Sequence, residues 1–116
     1  MNLPNAERAV VPMEKVTAYL LSDTHPDGAP KAAFDRRFGY GLDNWQELAQ
    51  ALLNHAAEHG IFKEEVTPFG VRYVIEGPLT AADSRRPILR SVWFIDAGTD
   101  IPRLVTAYPL KGNGDD

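Results

Sequence analysis

His25 lies in the stretch SDTHPDGAPK, between two aspartates and just ahead of a glycine, a proline and a lysine. Imidazole has an ordinary pKa of about 6.5, so it can exchange a proton near neutral pH. Gly28 lets backbone approach a ligand, and Pro30 suits the first turn of a helix whose N–H groups point outward. Lys31 adds a full positive charge at that helix start. Together these residues predict a site for a phosphate that gains charge during a reaction.

The same loop has two other interpretations. In the first, His25 only caps a turn, and Lys31 pairs with Asp35 four residues further along a helix. In the second, the loop is a D-x-H-x-D cluster that ligates a metal ion. The proline directly after the histidine restricts the geometry of such a loop, and sites of this kind usually have more than two carboxylates. We therefore expect no metal in this loop.

A second histidine motif, HAAEH, runs from His55 to His59. H-x-x-E-H is the zinc signature of one class of metallopeptidase, because histidines four residues apart share a helix face. Here the motif lies in the last turn before Gly60, and no other segment supplies a convincing further ligand. A solvated helix end, where such side chains interact favourably with the helix dipole, accounts for the motif. We expect no zinc at these histidines and no cofactor elsewhere.

Three arginines lie in segments that read as strands. Arg72 is on the strand face opposite its apolar neighbours, Arg90 lies in an otherwise apolar run, and Arg103 begins the last run. Each could hold a phosphate. An arginine on a strand also commonly reaches solvent or pairs with a nearby acid, and Glu76 is such an acid for Arg72.

Two hydroxyls follow in the last run, RLVTAYP. Thr106 and Tyr108 lie two residues apart, so strand alternation places both on one face. They are candidate site residues. Structural hydrogen bonds between strands explain the pair equally well.

Composition limits the class of protein. The chain has 116 residues, no cysteine and a net charge of −4, which argues against a passive nucleic-acid-binding module. Basic residues nevertheless gather at residues 31–37 and 85–90, so a local positive site is compatible with an acidic chain. The sequence has no apolar run that could cross a bilayer and no signal peptide. We expect a cytoplasmic protein that does not bind membranes.

The periodicity of apolar residues changes after Gly60 from helical to alternating. It predicts one α+β domain over residues 1–110, with a flexible polar tail over residues 111–116. The strands should form a four-stranded antiparallel meander with helices packed on one face. The predicted elements are helices at 12–21, 30–38 and 43–59 and strands at 62–68, 71–77, 88–96 and 103–109.

Several stretches together resemble an uncharacterised bacterial domain family of about this length: PNAERAVV, HPDG-x-x-KAAF, RYV, RSVWFI and PRLVTAYP. The resemblance covers nearly the whole chain, from Leu3 to Pro109. In element order, that family is similar to the barnase–EndoU–colicin–RelE-like (BECR) ribonucleases, in which helices precede a four-stranded antiparallel sheet. A last strand reading V-T-A-Y-P is frequent among toxin domains of that group.

The resemblance implies metal-independent cleavage of RNA, in which the ribose 2′-hydroxyl attacks the adjacent phosphate and leaves a cyclic phosphate. By position it implies catalytic roles for His25 and Lys31 on the helical side and for Thr106 and Tyr108 on the last strand. Arg72 and Arg90 are the strand arginines assigned to the phosphate. It also implies a toxin-type module with an antitoxin or immunity partner. The alternative is a non-catalytic module of the same fold that binds a protein or RNA.

Overall fold

The computed structural model describes residues 2–15, 44–80 and 86–110. The helical elements are a 3₁₀ turn η1 (Ala6–Arg8), a short helical segment α1 (Met13–Lys15) and the long helix α2 (Trp45–Glu58). The strands are β1 (Ile61–Thr67), β2 (Gly70–Pro78), β3 (Ile88–Asp96) and β4 (Arg103–Pro109). None of the helices in these ranges is long and apolar enough to cross a membrane.

Helix α2 forms because its apolar residues recur at helical spacing along one side. Leu48, Leu52 and Ala56 have this spacing and are buried, and Trp45 packs against the same core. The buried side also includes His55, which the pattern did not place there. The helix ends where the backbone of His59 becomes extended, one residue before Gly60.

The four strands pair in sequence order, each antiparallel to the next. The β1–β2 turn is tight, and Gly70 is needed there because its φ is +147°. A Cβ on Gly70 would also lie 2.6 Å from a ring carbon of Phe94. This meander confirms the predicted α+β architecture, and β3 and β4 have the predicted bounds.

Side chains alternate between the two faces of the sheet. The face that packs on α2, the helix face, carries buried residues: Tyr73, Ile75, Leu89, Ser91, Trp93, Leu104 and Ala107. The opposite face, called the outer face below, carries the buried Val74 and Val92 together with Arg72, Glu76, Arg90, Phe94, Thr106 and Tyr108. The four strand residues predicted as site residues therefore share one face.

The N-terminal segment is attached to the start of β4. Val10 forms a parallel bridge with Arg103, and its carbonyl accepts a hydrogen bond from the N–H of Leu104 at 3.0 Å. Leu3 is buried in the core, and the Asn5 side chain donates to the carbonyl of Asp100 at 2.7 Å. This part of the chain thus covers one end of the sheet's β4 edge.

Of the three predicted helices, the structure establishes one in full. Helix α2 lies within the predicted range 43–59, and the α1 residues lie within the predicted range 12–21. The rest of that first helix, the whole predicted helix at 30–38 and the predicted tail at 111–116 fall outside the described residues.

Candidate functional site

The outer face carries a compact polar cluster on three neighbouring strands, called the Arg90 cluster: Arg90, Glu76 and Tyr108. Register places Arg90 of β3 directly opposite Glu76 of β2 on one side and Tyr108 of β4 on the other. The Arg90 Nε donates to Glu76 Oε2 at 2.6 Å, and a terminal guanidinium nitrogen donates to the Tyr108 hydroxyl oxygen at 3.1 Å. A carboxylate, a guanidinium and a phenol therefore meet at one point.

These contacts make Arg90 a fixed cation. The hydrogen bond to Tyr108, followed by the one to Glu76, raises the pKa of Arg90 above its ordinary value. The side chains of Arg90 and Glu76 remain 32% and 20% exposed, so a ligand in solvent can reach them. A guanidinium that is oriented in this way and stays charged is suited to bind a phosphate or carboxylate.

Thr106 lies beside the Arg90 cluster. It pairs with Val92, two residues along β3 from Arg90, and alternation places its side chain on the same face as Tyr108. Both β4 side chains are half-buried. The structure thus brings Arg90, Thr106 and Tyr108 into one neighbourhood.

Arg72 is on the same face but at the other end of the sheet. It pairs with Phe94, four residues along β3 from Arg90, which corresponds to about 13 Å at the rise of a strand. It donates to Glu65 Oε1 at 2.7 Å, and this hydrogen bond is the main cause that lowers the pKa of Glu65. The prediction that Glu76 is the acid partner of Arg72 was therefore wrong. Glu76 follows Arg72 by four residues in the same strand, too far along it for a contact.

Arg103 forms a third ion pair, with Asp96. Its Nε donates to Asp96 Oδ2 at 2.8 Å, and its guanidinium carbon lies 5.3 Å from the centre of the Phe94 ring. Arg103 thus has an acid partner and an aromatic neighbour, as Arg90 does, but it is near the Arg72 end of the sheet.

His25 and Lys31, the two predicted site residues on the helical side, fall outside the described residues. The same is true of Gly28, Pro30 and the whole predicted anion-binding loop. Their roles stay predictions from the sequence.

His55 lies on the helix face of the sheet, in a buried chain of hydrogen bonds. Its side chain is 1% exposed, so the expectation of a solvated helix end was wrong for this residue. The carbonyl of Gly77 only accepts, so His55 Nε2 carries the proton that it shares with that oxygen at 3.0 Å. Nδ1 then accepts from the Ser91 hydroxyl at 2.9 Å, and Ser91 Oγ accepts from the Trp93 indole N–H at 2.9 Å.

The environment of His55 keeps the ring neutral. Burial is the largest cause that lowers its pKa, and the nearby His59 acts in the same direction. Both ring nitrogens already have partners, so binding a metal would break this chain of bonds. Among the described residues no group of three or more histidines, cysteines and acids is placed to hold a metal ion.

His59 continues the attachment of α2 to the end of β2. Its Nε2 donates to the carbonyl of Pro78 at 2.7 Å, and its ring centre lies 4.9 Å from that of His55. A Cβ at Gly77 would lie 2.7 Å from the His59 ring, so the close approach of helix and strand requires a glycine. The HAAEH motif is thus a structural attachment that joins the helix to β2 next to Glu76.

Two parts of this arrangement were missed in the sequence. Glu76 was considered only as a partner for Arg72, because the register between β2 and β3 could not be read from the chain. The bond chain from His55 to Ser91 and Trp93 was missed for a similar reason. Its one visible sign was a histidine four residues after Ala51, on the side of α2 that is otherwise apolar.

Comparisons with known proteins bear on the family and on the fold. The model of a family described as a domain of unknown function, DUF6883, matches residues 2–111. A search of the curated proteins finds no match. Among solved structures, the fold is similar to a chain of a contact-dependent growth inhibition toxin–immunity protein complex from Klebsiella pneumoniae 342. The TM-score is 0.71 at 16% identity, over 92% of this chain and 97% of that one.

The chain therefore belongs to the DUF6883 family, and the resemblance to an uncharacterised domain family is confirmed. At 16% identity the structural likeness establishes the fold alone, and it agrees with the α+β meander described above.

Proposed function

We propose that this DUF6883 domain is a toxin-type, BECR-like ribonuclease that cleaves RNA without a metal ion and acts in the cytoplasm. The ribose 2′-oxygen attacks the adjacent phosphorus, the bond from phosphorus to the 5′-oxygen breaks, and a 2′,3′-cyclic phosphate remains. One proton must leave the 2′-hydroxyl, and one must reach the departing 5′-oxygen. The reaction also needs cations around a phosphorane that carries more negative charge than the substrate.

The observation that carries this proposal is the Arg90 cluster on the outer face. Arg90 is charged, oriented by two partners and partly exposed, and a phosphate can take the place of Glu76 on part of the guanidinium fork. Tyr108 presents a hydroxyl 3.1 Å from the same guanidinium, and Thr106 is its neighbour on β4. Arg72 lies further along the same face, where it would contact RNA away from the cleaved bond.

Two residues are candidates for the proton acceptor. His25 is the candidate from the sequence, because an imidazole can both take and return a proton near neutral pH. Glu76 is the candidate from the geometry, because its carboxylate lies beside the proposed phosphate-binding guanidinium. In either case the positive charge of Lys31 stabilises the negatively charged phosphorane.

A protein inhibitor of the immunity type is the partner we propose for such a domain. The support is the likeness to a chain of a toxin–immunity protein complex. An active ribonuclease in the cytoplasm would also damage the cell that makes it unless it is held inactive.

A non-catalytic module of the same fold that binds protein or RNA is the second candidate. The observation in its favour is charge pairing on the outer face: Arg72, Arg90 and Arg103 each have an acid partner. Such pairing reduces the net attraction for a polyanion. A binding module would keep its affinity for RNA or protein when the proton-transfer candidates are replaced.

The test is cleavage of a mixed RNA pool in the presence of EDTA, by protein freed from any co-purified partner. We expect product ends with 2′,3′-cyclic phosphate and a fall of about 10²–10⁴-fold for the variant that lacks the true proton acceptor. His25→Ala and Glu76→Gln are the two variants. Asp96→Asn, which changes the carboxylate paired with Arg103 at the other end of the sheet, is the matched control for Glu76→Gln. RNA left intact by the wild-type protein would contradict the ribonuclease proposal and favour the binding module.

The pH dependence of the rate distinguishes the two candidates. If His25 is the acceptor, the rate rises with pH through a limb near about 6.5, and His25→Ala loses that limb. If Glu76 is the acceptor, Glu76→Gln loses activity and His25→Ala keeps the pH profile of the wild-type protein.

A further inference from the structure

The β-bulge at Phe62 turns an aromatic ring toward the Arg90 cluster. Ile61 pairs with Ile75 and Lys63 pairs with the preceding β2 residue, Val74, so Phe62 is the extra residue of β1. A bulge commonly re-aims a side chain, and bulges are frequent next to active sites. Here the Phe62 ring centre lies 5.9 Å from the guanidinium carbon of Arg90.

The Phe62 ring is largely open to solvent. Phe62 is 64% exposed, although its ring lies near Arg90. Contact with Phe62 is not needed to fix Arg90, because Glu76 and Tyr108 already orient the guanidinium through hydrogen bonds. An exposed aromatic ring beside a fixed cation therefore offers one free face to a ligand.

We infer that Phe62 stacks on an unpaired base of single-stranded RNA while Arg90 holds a phosphate of the same strand. The inference rests on the proposed function and adds the substrate class and a residue that recognises it. Every base has a flat π-face, so stacking on Phe62 requires an unpaired base rather than a particular sequence. In a duplex the bases are stacked on one another, which excludes them from the Phe62 ring.

The chain provides a matched control for Phe62. Phe69 lies in the β1–β2 turn of the same hairpin and is 78% exposed. Replacing either ring removes a similar exposed apolar surface, and neither change should disturb the core. The Arg90 guanidinium lies over the rings of Phe62 and Tyr108. Phe69 lies beyond the other end of β1, away from the Arg90 cluster.

The experiment measures binding of a short single-stranded RNA that carries 2-aminopurine. Methyl groups on its 2′-hydroxyls prevent the proposed cleavage, and stacking quenches the fluorescence of the base. We expect Phe62→Ala to weaken binding about 5- to 150-fold and to reduce the quenching. Phe62→Trp should restore both, Phe69→Ala should bind within about twofold of wild type, and the same RNA as a duplex should bind more weakly.

The outcomes separate this inference from the proposed function. Wild-type affinity in Phe62→Ala, equal losses in the two Phe→Ala variants, or equal affinity for the duplex would each overturn the role of Phe62. Unmodified RNA that is still cleaved in that case leaves the ribonuclease proposal intact. If the single strand binds through Phe62 and is never cleaved, the stacking role stands and the catalytic proposal fails. No binding of single-stranded RNA by the wild-type protein overturns the inference.

Discussion

On the helix face of the sheet, Ser91 belongs to a buried cluster of neutral polar side chains, whereas the Arg90 cluster on the outer face is charged and partly exposed. Ser91 on the helix face is fully buried and bonds both His55 and Trp93. Arg90 is the next residue of the same strand, on the outer face, and it holds Glu76 and Tyr108 with 32% of its side chain exposed. Adjacent residues of β3 thus belong to two different kinds of polar cluster.

The two clusters differ in whether their hydrogen-bond partners can be exchanged for a ligand. In the bond chain from Trp93 through Ser91 to His55 each donor has an acceptor, and a lost partner leaves a buried polar group that water cannot reach. In the Arg90 cluster, a phosphate can replace the carboxylate on part of the guanidinium, because water can then form hydrogen bonds with the displaced carboxylate oxygen. The bond chain of His55, Ser91 and Trp93 is therefore suited to hold the sheet on α2, and the Arg90 cluster is suited to bind a ligand.

The largest effect on stability is expected for Trp93→Ala on the helix face. The side chain is fully buried, so its loss leaves a cavity and should lower the free energy of unfolding by about 3–5 kcal/mol. Phe69→Ala, an exposed aromatic control, should stay within about 0.5 kcal/mol of wild type. Chemical denaturation measures both values. Similar small losses in the two variants would show that the helix face is not the stabilising one.

Ser91→Ala should have the next largest effect. The substitution leaves the Trp93 N–H and His55 Nδ1 buried without their partner, at a cost of about 1–3 kcal/mol in unfolding free energy. In a Trp93→Phe background the same substitution should cost less, because the indole donor is already gone. A double-mutant cycle with no coupling would contradict the bond chain.

Stability should fall as the pH is lowered below about 6.5, and His55 should be a cause. Burial lowers the pKa of His55 in the folded state, so between that pKa and the unfolded value the unfolded chain binds more protons. The contribution of the neutral ring is complete above about pH 6.5 and is lost as the pH falls toward the folded pKa. Denaturation from pH 7.5 to about pH 5 should show a smaller slope in His55→Gln. Identical slopes in the two proteins would exclude His55 as the cause.

The smallest effect is expected for Arg8→Ala at the surface. The Arg8–Asp100 pair is 3.4 Å long, and its two side chains are 50% and 66% exposed. Exposed pairs of this kind contribute about 0–1 kcal/mol, so thermal denaturation should differ little from wild type. A large loss would mean that the N-terminal attachment to β4 depends on this pair.

Strand alternation was enough to predict much of the sheet. It gave β3 and β4 with their observed bounds, and it correctly placed Arg72 on the face of β2 opposite the buried Tyr73 and Ile75. The partner of each arginine could not be predicted in the same way. Which acid faces Arg90 depends on the register of β2 against β3. Residues 79–87 separate these strands, so no two-residue hairpin turn sets that register.

Two local features also escaped the periodicity. The bulge at Phe62 breaks the alternation by one residue, and nothing in the letters IFKEE marks it. His55 counts as polar in a pattern of apolar residues, although its two ring nitrogens can both be satisfied in a buried site. Contacts between elements decide both features, and those contacts appear only once the chain is folded.

The central claim is that the Arg90 cluster, rather than the positive charge of any arginine on the sheet, binds the phosphate group of the phosphodiester that is cleaved. Arg103→Ala is the matched control, because it also removes one guanidinium that has an acid partner and an aromatic neighbour on the same sheet. The deciding measurement is single-turnover RNA cleavage in EDTA by the wild-type protein and both variants. We predict a fall of about 10²–10³-fold for Arg90→Ala and a change of a few-fold for Arg103→Ala, with both proteins folded. Equal losses in the two variants, or an Arg90→Ala variant as active as wild type, would contradict the claim.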